Sequence, residues 1–358
     1  DKIIIANLIK TIDYLNDFKK SYEDKFTDKN LDVKQFKLIF NRFKSGVDLI
    51  KSDKKILSAF RLMNKTYEFA YGTDKKEEGW RLFQIVFIIG TIHRLVREKK
   101  QDSINDDAEL LYVATGGGKT ESYVGLTITL LFYQRLMKQE FGIGSWVKFP
   151  LRLLALDQFD RLTNIIIWAN FVKNEYSISG DPFSLGFFVG NDDLYPATVA
   201  EWVYEKMGDP SKNELLFKRN DGYKFAQGGL LSECPICKKN KDIIQLKNKG
   251  EVVEIAGDYR WRYDSKKHRV IHWCEKCHNE FYLYVTDEEI YRYLPSVLVS
   301  TVDKIATAAW TPFFSGLLGA QLFKCKHHGY SITPKNCSIM DVRCGNKKSS
   351  SFGSSNAF

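Results

Sequence analysis

The segment VATGGGKTES, Val113 to Ser122, constrains the fold more than any other stretch of the sequence. Gly116, Gly117 and Gly118 turn a chain sharply and leave its backbone N–H groups uncovered, because no Cβ stands in the way. A short apolar strand, Glu109 to Val113, is predicted before the turn, and a helix from about Glu121 to Gln139 after it. Strand, glycine turn and helix N-terminus in this order cradle phosphate. The loop amides and the helix dipole attract the anion, and Lys119 supplies a point charge for the β/γ-phosphates. The Thr120 hydroxyl is placed to ligate Mg²⁺. Thr115, Gly116, Gly117, Gly118, Lys119, Thr120 and Glu121 are therefore the expected contacts to ATP. The strict P-loop pattern asks for glycine where Val113 stands; helicase-type loops accept another residue there. The alternative is a glycine turn with a chance lysine.

The pattern around this loop is α/β. Helices are predicted for Trp80 to Glu98 and Leu154 to Trp168, and strands for Trp146 to Phe149 and Leu185 to Asn191. The pattern returns in PSVLVSTVDKIA, Pro295 to Ala306. Alternation of this kind builds a parallel sheet with helices on both faces. Before Trp80 the apolar residues recur at helical spacing: Leu8, Ile12 and Leu15, then Phe36, Phe40, Phe43 and Val47, then Phe60, Met63 and Tyr67. The expected organisation is a helical region over 1–79 and the first part of an ATP-binding domain over 80–227. A β-rich insertion follows over 228–285, a return to the α/β domain over 286–325, and a Cys/His-containing tail over 326–358. The end of that tail, NKKSSSFGSSNAF, has the composition of a disordered segment.

Four of the seven cysteines form two C-x-x-C pairs, Cys234 with Cys237 and Cys274 with Cys277, 36 residues apart. Each pair brings two thiolates to one ion, so the four suit a closed tetrahedral Zn²⁺ site with no open position for catalysis. Between and beside them run β-like segments: DIIQL, EVVEI, YRWRY, RVIHW and EFYLYV. His268, His272 and His278 flank the site as surface or supporting residues. Cys325, His327, His328, Cys337 and Cys344 form a looser cluster, readable as a second zinc site or as free thiols.

Composition adds limits. With 44% apolar residues the chain is globular, which excludes wholesale disorder. The longest apolar run, Leu82 to Gly90, is too short to span a bilayer, and no secretion signal opens the chain; the expected location is the cytoplasm. Lys and Arg number 53 against 44 Asp and Glu, a net charge of +9 that suits a polyanionic partner.

Beyond the loop comes FPLRLLALDQFDRL, Phe149 to Leu162, similar to motif Ia of superfamily 2 helicases. Pro150, Arg152, Leu154 and Ala155 match that pattern; Leu151 and Leu153 replace Thr and Glu. Taken with TGGGKTES, the paired C-x-x-C knuckles and DEEIYRYLPSVLVSTVDKIA, the chain from about Trp80 to Trp310 resembles the helicase subunit of the DISARM anti-phage defence system. The resemblance implies a RecA-like P-loop domain, ATP and Mg²⁺ as cofactors, and DNA and other defence subunits as partners, without membrane attachment. It implies that Arg81 and Gln84 read the adenine, and that Arg152, Gln158, Thr301, Asp303 and Lys304 face nucleic acid. Trp261, Tyr263 and Tyr293, interleaved with Arg260, Arg262 and Arg292, are either a stacking surface or the filling of a small β core.

One part of the family pattern is missing. A superfamily 2 ATPase needs an Asp-Glu-x-His motif whose acids hold Mg²⁺ and position water, and a second domain that brings arginine to the γ-phosphate. No Asp-Glu-x-His occurs in the sequence. Asp287, Glu288 and Glu289 read as a helix start, and Asp341 is a degenerate candidate. The chain reads as the first motor half, an N-terminal or truncated portion that binds ATP without turning it over. A P-loop kinase has no place for the zinc knuckles or the TVDK segment.

Overall fold

A computed structural model describes residues 1–23, 31–72, 79–95, 108–114, 116–190, 197–201, 234–237, 259–264, 267–274, 276–308, 310–319, 322–325, 328–331 and 350–352. Two compact units emerge, Asp1–Lys138 and Gln139–Phe358.

The first unit is helical. Its elements are α1 (Lys2–Glu23), α2 (Leu31–Ser52), α3 (Lys54–Tyr71), α4 (Leu82–Thr91) with a 3₁₀ turn at Ile92–Leu95, and α5 (Lys119–Leu136). Asp53 separates α2 from α3: its carboxylate accepts the Lys55 and Ile56 N–H groups at 2.7 and 3.2 Å, satisfying donors that a helix start leaves open. Phe43, Val47, Phe60 and Met63, picked out by their spacing, lie in the core with Ile50, Ile88, Ile89, Ile128 and Leu131. The helix predicted over Trp80–Glu98 ends early, at Thr91, and tightens into the 3₁₀ turn. The expected strand at Glu109–Val113 forms no ladder: residues 108–114 are irregular, with Leu110 and Tyr112 exposed. A strand needs a pairing edge, and this unit has no other strand among the described residues.

The second unit holds a parallel sheet of order β1-β7-β2-β6, from β1 (Ser145–Phe149), β2 (Leu185–Phe188), β6 (Leu283–Tyr284) and β7 (Val297–Thr301). Helix α6 (Arg152–Glu175) links β1 to β2. The late strand β7 sits between them, the crossover arrangement of an α/β sheet. All five residues of β7 are buried, as a strand covered on both faces requires. The α/β class with a parallel sheet is therefore borne out.

A separate antiparallel sheet, β3-β4-β5, is made by β3 (Tyr259–Asp264), β4 (Arg269–Cys274) and β5 (Glu280–Phe281). The run EFYLYV, expected as one strand, is divided. Its first half joins β4 and its second half, β6, joins β2, whose Leu185 N–H also bonds the Tyr282 carbonyl at 2.9 Å. DIIQL and EVVEI lie outside the described residues. The remaining elements are α7 (Asp287–Tyr293), α8 (Val302–Ala308), α9 (Phe314–Leu317), β8 (Leu322–Cys325), β9 (Gly329–Ser331) and β10 (Ser350–Phe352). The composition of the tail predicts disorder, but Ser350–Phe352 pairs as β10 against β8, whose outer edge supplies the ladder partner. No helix among the described residues is long and apolar enough to cross a membrane.

Acidic groups inside this unit tie α7 to its surroundings. Thr286 caps α7, its hydroxyl accepting the Glu289 N–H at 3.2 Å and donating to the Glu289 carboxylate at 3.1 Å. The Glu289 carboxylate also accepts the Val270 N–H at 2.8 Å. Burial raises the Glu289 acid from the ordinary 4.5 to about 7, against the pull of these hydrogen bonds and of Arg269. A folded-state value above the unfolded one means that the native chain holds the extra proton between pH 4.5 and 7. The stability this contributes is full below pH 4.5 and is lost as pH rises through about 7. Urea midpoints at pH 5 and pH 8 should therefore differ less for Glu289→Gln than for the parent chain; equal pH slopes would contradict this.

Candidate nucleotide loop and metal centre

The glycine loop closes on itself and on α4. The Gly117 N–H bonds the Ala114 carbonyl at 3.0 Å, and Gly116 and Gly118 take φ of 77° and 92°. Gly118 is the N-cap of α5, and a Cβ there would stand 2.6 Å from Gln84 Nε2. The left-handed backbone favours glycine there. Arg81 Nη1 donates to the Gly117 carbonyl at 2.7 Å and Gln84 Nε2 to the Gly118 carbonyl at 2.9 Å, while Gln84 Oε1 accepts the Arg81 N–H at 2.8 Å. The two residues expected at the adenine thus hold the loop backbone, a connection that spacing 34 and 36 residues apart does not reveal.

Lys119 and Thr120 open α5 as expected. The Lys119 ammonium donates to the Val113 and Ala114 carbonyls at 2.5 and 3.2 Å. Glu121 is in the first turn, and Thr115 lies outside the described residues. The helix half of the phosphate-loop context is present, whereas the strand half is replaced by irregular chain.

In the second unit, β1 and β7 pair in register from Ser145↔Val297 to Phe149↔Thr301. Their carboxyl ends therefore coincide, and Arg152, first residue of α6, and Asp303, in the first turn of α8, follow at the same edge. This edge is where open parallel sheets place ligands. Asp303 is exposed and Arg152 half-buried, whereas Thr301 is buried. Gln158 lies further along α6 and donates to Asp157 at 2.9 Å. Lys304 is buried and donates to Asp287 at 2.6 Å. Arg292 is fully buried on Glu288, and Tyr293 stacks on Tyr284 at 5.3 Å. The core-filling alternative therefore holds for these two: Arg292 is enclosed against Glu288, and the Tyr293 hydroxyl donates to the Lys267 carbonyl at 2.8 Å. The side chains of Arg260, Trp261, Arg262 and Tyr263 lie outside the described residues.

The cysteines of the two knuckles converge. Cys234 and Cys277 sulfurs are 3.7 Å apart, Cys237 and Cys274 sulfurs 3.6 Å, and all four lie within 4.8 Å of one another. Zinc–sulfur bonds of ~2.3 Å at tetrahedral angles put sulfurs about 3.8 Å apart, so the donor set fits the ion. Local backbone sets this up: Cys274 ends β4, its carbonyl accepts the His278 N–H at 2.9 Å, and its N–H bonds the Asn279 carbonyl at 3.0 Å. Burial pushes the Cys237 thiol up to about 12, while hydrogen bonds, first from Cys234, hold Cys277 far below its ordinary value. Thiols sharing protons around one point are the donors a soft divalent cation takes over.

None of the flanking histidines joins this group. His268 pairs with Glu288 at 3.3 Å and His278 stacks on Trp273 at 6.3 Å. His272 is fully buried, its pKa lowered to about 3 by burial and then by Arg269, which keeps it neutral. Of the looser cluster, Cys325 and His328 are described; His327, Cys337, Cys344 and Asp341 are outside the described residues.

The buried network Glu288–Arg292–His268 was not foreseen from the sequence. The signal available was Arg292 four residues after Glu288, the spacing of an ion pair on one helix face.

Comparison with known proteins adds one relative. The chain resembles DISARM protein DrmA. The match, to DrmA of Bacillus paralicheniformis, is 29% identical over 366 aligned residues, covering 90% of this chain and 31% of DrmA. The chain thus spans about a third of the relative's length. The similarity bears out the DISARM resemblance carried by the motifs, DrmA-like along most of the chain. No protein-family profile matches.

Proposed function

We propose that the chain is the nucleotide- and DNA-binding portion of a superfamily 2 motor acting in DISARM-type anti-phage defence, with partner subunits of that system. The observation that carries this is the loop Gly116–Thr120: two left-handed glycines at a helix N-terminus, followed by Lys119 and Thr120 and braced by Arg81 and Gln84. ATP binds there with Mg²⁺ on Thr120, and the Lys119 ammonium exchanges its loop carbonyls for phosphate oxygens. The similarity to DrmA supports the defence role. The parallel sheet, with Arg152 and Asp303 at the carboxyl edge of β1 and β7, supports a RecA-like domain whose edge meets DNA. Zn²⁺ at Cys234, Cys237, Cys274 and Cys277 is structural.

The sequence holds no Asp-Glu-x-His. The chain by itself therefore binds ATP and leaves it intact.

Calorimetry with Mg-ATP tests the loop. The parent chain takes up nucleotide, and Lys119→Ala weakens binding roughly 10- to 150-fold, the range for hydrogen bonds to a charged group. Phosphate release stays at background with or without DNA. Absence of uptake by folded protein would remove the reading, and DNA-stimulated turnover lost in Lys119→Ala would remove its non-hydrolysing part. The DNA edge has its own measurement. Log K for duplex DNA falls linearly with log salt, and Arg152→Ala lowers that slope by about 1; an unchanged slope would free Arg152 of phosphate contact.

A further inference from the structure

Among the described residues of the second unit, the most exposed large apolar side chains are Trp310, Leu153 and Leu151, at 90%, 81% and 63%. Leu151 and Leu153 follow the end of β1, and Val302, also exposed, follows the end of β7. The two strand ends coincide, so these side chains share the carboxyl edge of the sheet. Exposed apolar residues scattered singly mean little; several gathered at a ligand edge mark a contact surface.

Trp310 stands on a fixed support. The next residue, Thr311, shares a hydroxyl–hydroxyl hydrogen bond with Tyr291 at 3.3 Å, and Phe313 packs on the Tyr291 ring at 5.9 Å. The Phe314 N–H bonds the Thr311 carbonyl at 3.1 Å and closes the turn. Phe314 in turn packs on Trp146 of β1 at 5.8 Å, and the Lys148 ammonium lies 5.1 Å from the same Trp146 ring. The turn that carries Trp310 is thus attached to the sheet face from which Lys148, exposed and next to last in β1, projects.

The chemistry selects a partner. An indole clear of its neighbours offers its π faces to unpaired bases, which stack on such rings whatever their sequence. Leucine carries no donor for a phosphate oxygen, so Leu151 and Leu153 suit bases and sugars. Lys148 and Arg152 supply positive charge, and Asp303 is an exposed acid at the same edge. We propose that this edge is a subsite for single-stranded DNA, with Trp310 stacked on an unpaired base and Lys148 on a phosphate of the same strand. The proposal rests on the DNA reading of the edge and adds to it the form of the strand and a base contact. Duplex DNA keeps its bases stacked inside, so the subsite favours the single strand.

The full chain is titrated with a labelled oligothymidylate and with an abasic strand of equal length, both read by fluorescence anisotropy. Trp310→Ala is expected to weaken oligothymidylate binding roughly 5- to 150-fold, the range for one base–aromatic stack, and to leave abasic binding unchanged. Trp310→Phe keeps most of the affinity. Lys148→Ala lowers the slope of log K against log salt by about 0.7, the value for one single-strand phosphate, whereas Trp310→Ala does not change it. Because Trp310 is exposed, its variant keeps the parent's circular dichroism and unfolding midpoint. Equal oligothymidylate affinity in parent and Trp310→Ala overturns the stack alone and leaves the ring to a protein partner. Equal losses on both strands overturn it too, since no base is then involved. Failure of the folded parent to bind either strand removes the DNA reading along with the proposal.

Discussion

Serine at both Cys234 and Cys277 is expected to remove one zinc ion per chain and to open the β3-β4-β5 sheet to solvent exchange. The double change takes one donor from each knuckle, so neither pair can hold the ion alone. Structural zinc contributes an apparent ~10–16 kcal/mol of binding free energy in small zinc-folded units. That equals or exceeds the ~5–15 kcal/mol by which domains are stable at all. Apart from the knuckles, the sheet has three short strands, and β5 contributes two residues. Beyond the ion, the buried residues of β4 and the Glu289–Val270 hydrogen bond hold it. Zinc content by mass spectrometry and hydrogen exchange over 259–285 are the measurements. Unchanged zinc stoichiometry would show that the four sulfurs hold no metal, and unchanged protection with zinc lost would show that the sheet stands without it.

The sequence made this centre legible because its determinants are local. A C-x-x-C knuckle encodes its own two-ligand geometry, and only the meeting of the two knuckles needed the structure. The glycine loop was legible in the same way, since Gly118 and Lys119 settle the start of α5 between them. What could not be read was non-local. Glu109–Val113 has strand-like composition, but composition cannot report whether a partner edge exists, and none among the described residues pairs with it. Similarly, Lys304 and Arg292 look like phosphate contacts on sequence grounds. Their fate is decided by carboxylates that tertiary packing brings to them, Asp287 and Glu288, which the sequence signals only as the acidic start of a helix.

Those carboxylates carry the second large effect: Arg292→Met is expected to destabilise the chain by ~3–5 kcal/mol, the cost of stranding a buried charge. The Arg292 guanidinium forms an ion pair with Glu288 at 3.0 Å, with side-chain exposures of 0% and 1%. Glu288 keeps His268 at 3.3 Å and the Val199 N–H at 3.1 Å, neither of which replaces a permanent cation. Adding Glu288→Gln to Arg292→Met should restore most of the loss, because no charge then remains to be stranded. Urea unfolding of the four members of this cycle measures the coupling, and a single variant within about 1 kcal/mol of the parent would place the stabilisation elsewhere. The outcome bears on the proposed DNA contact as well. Helix α7 carries Asp287 one position before Glu288, and Asp287 holds Lys304 at the start of α8. If α7 loosens, Lys304 is released and the Thr301–Lys304 segment loses its anchor. Arg292→Met should then alter DNA affinity although Arg292 itself is too deeply buried to touch a phosphate.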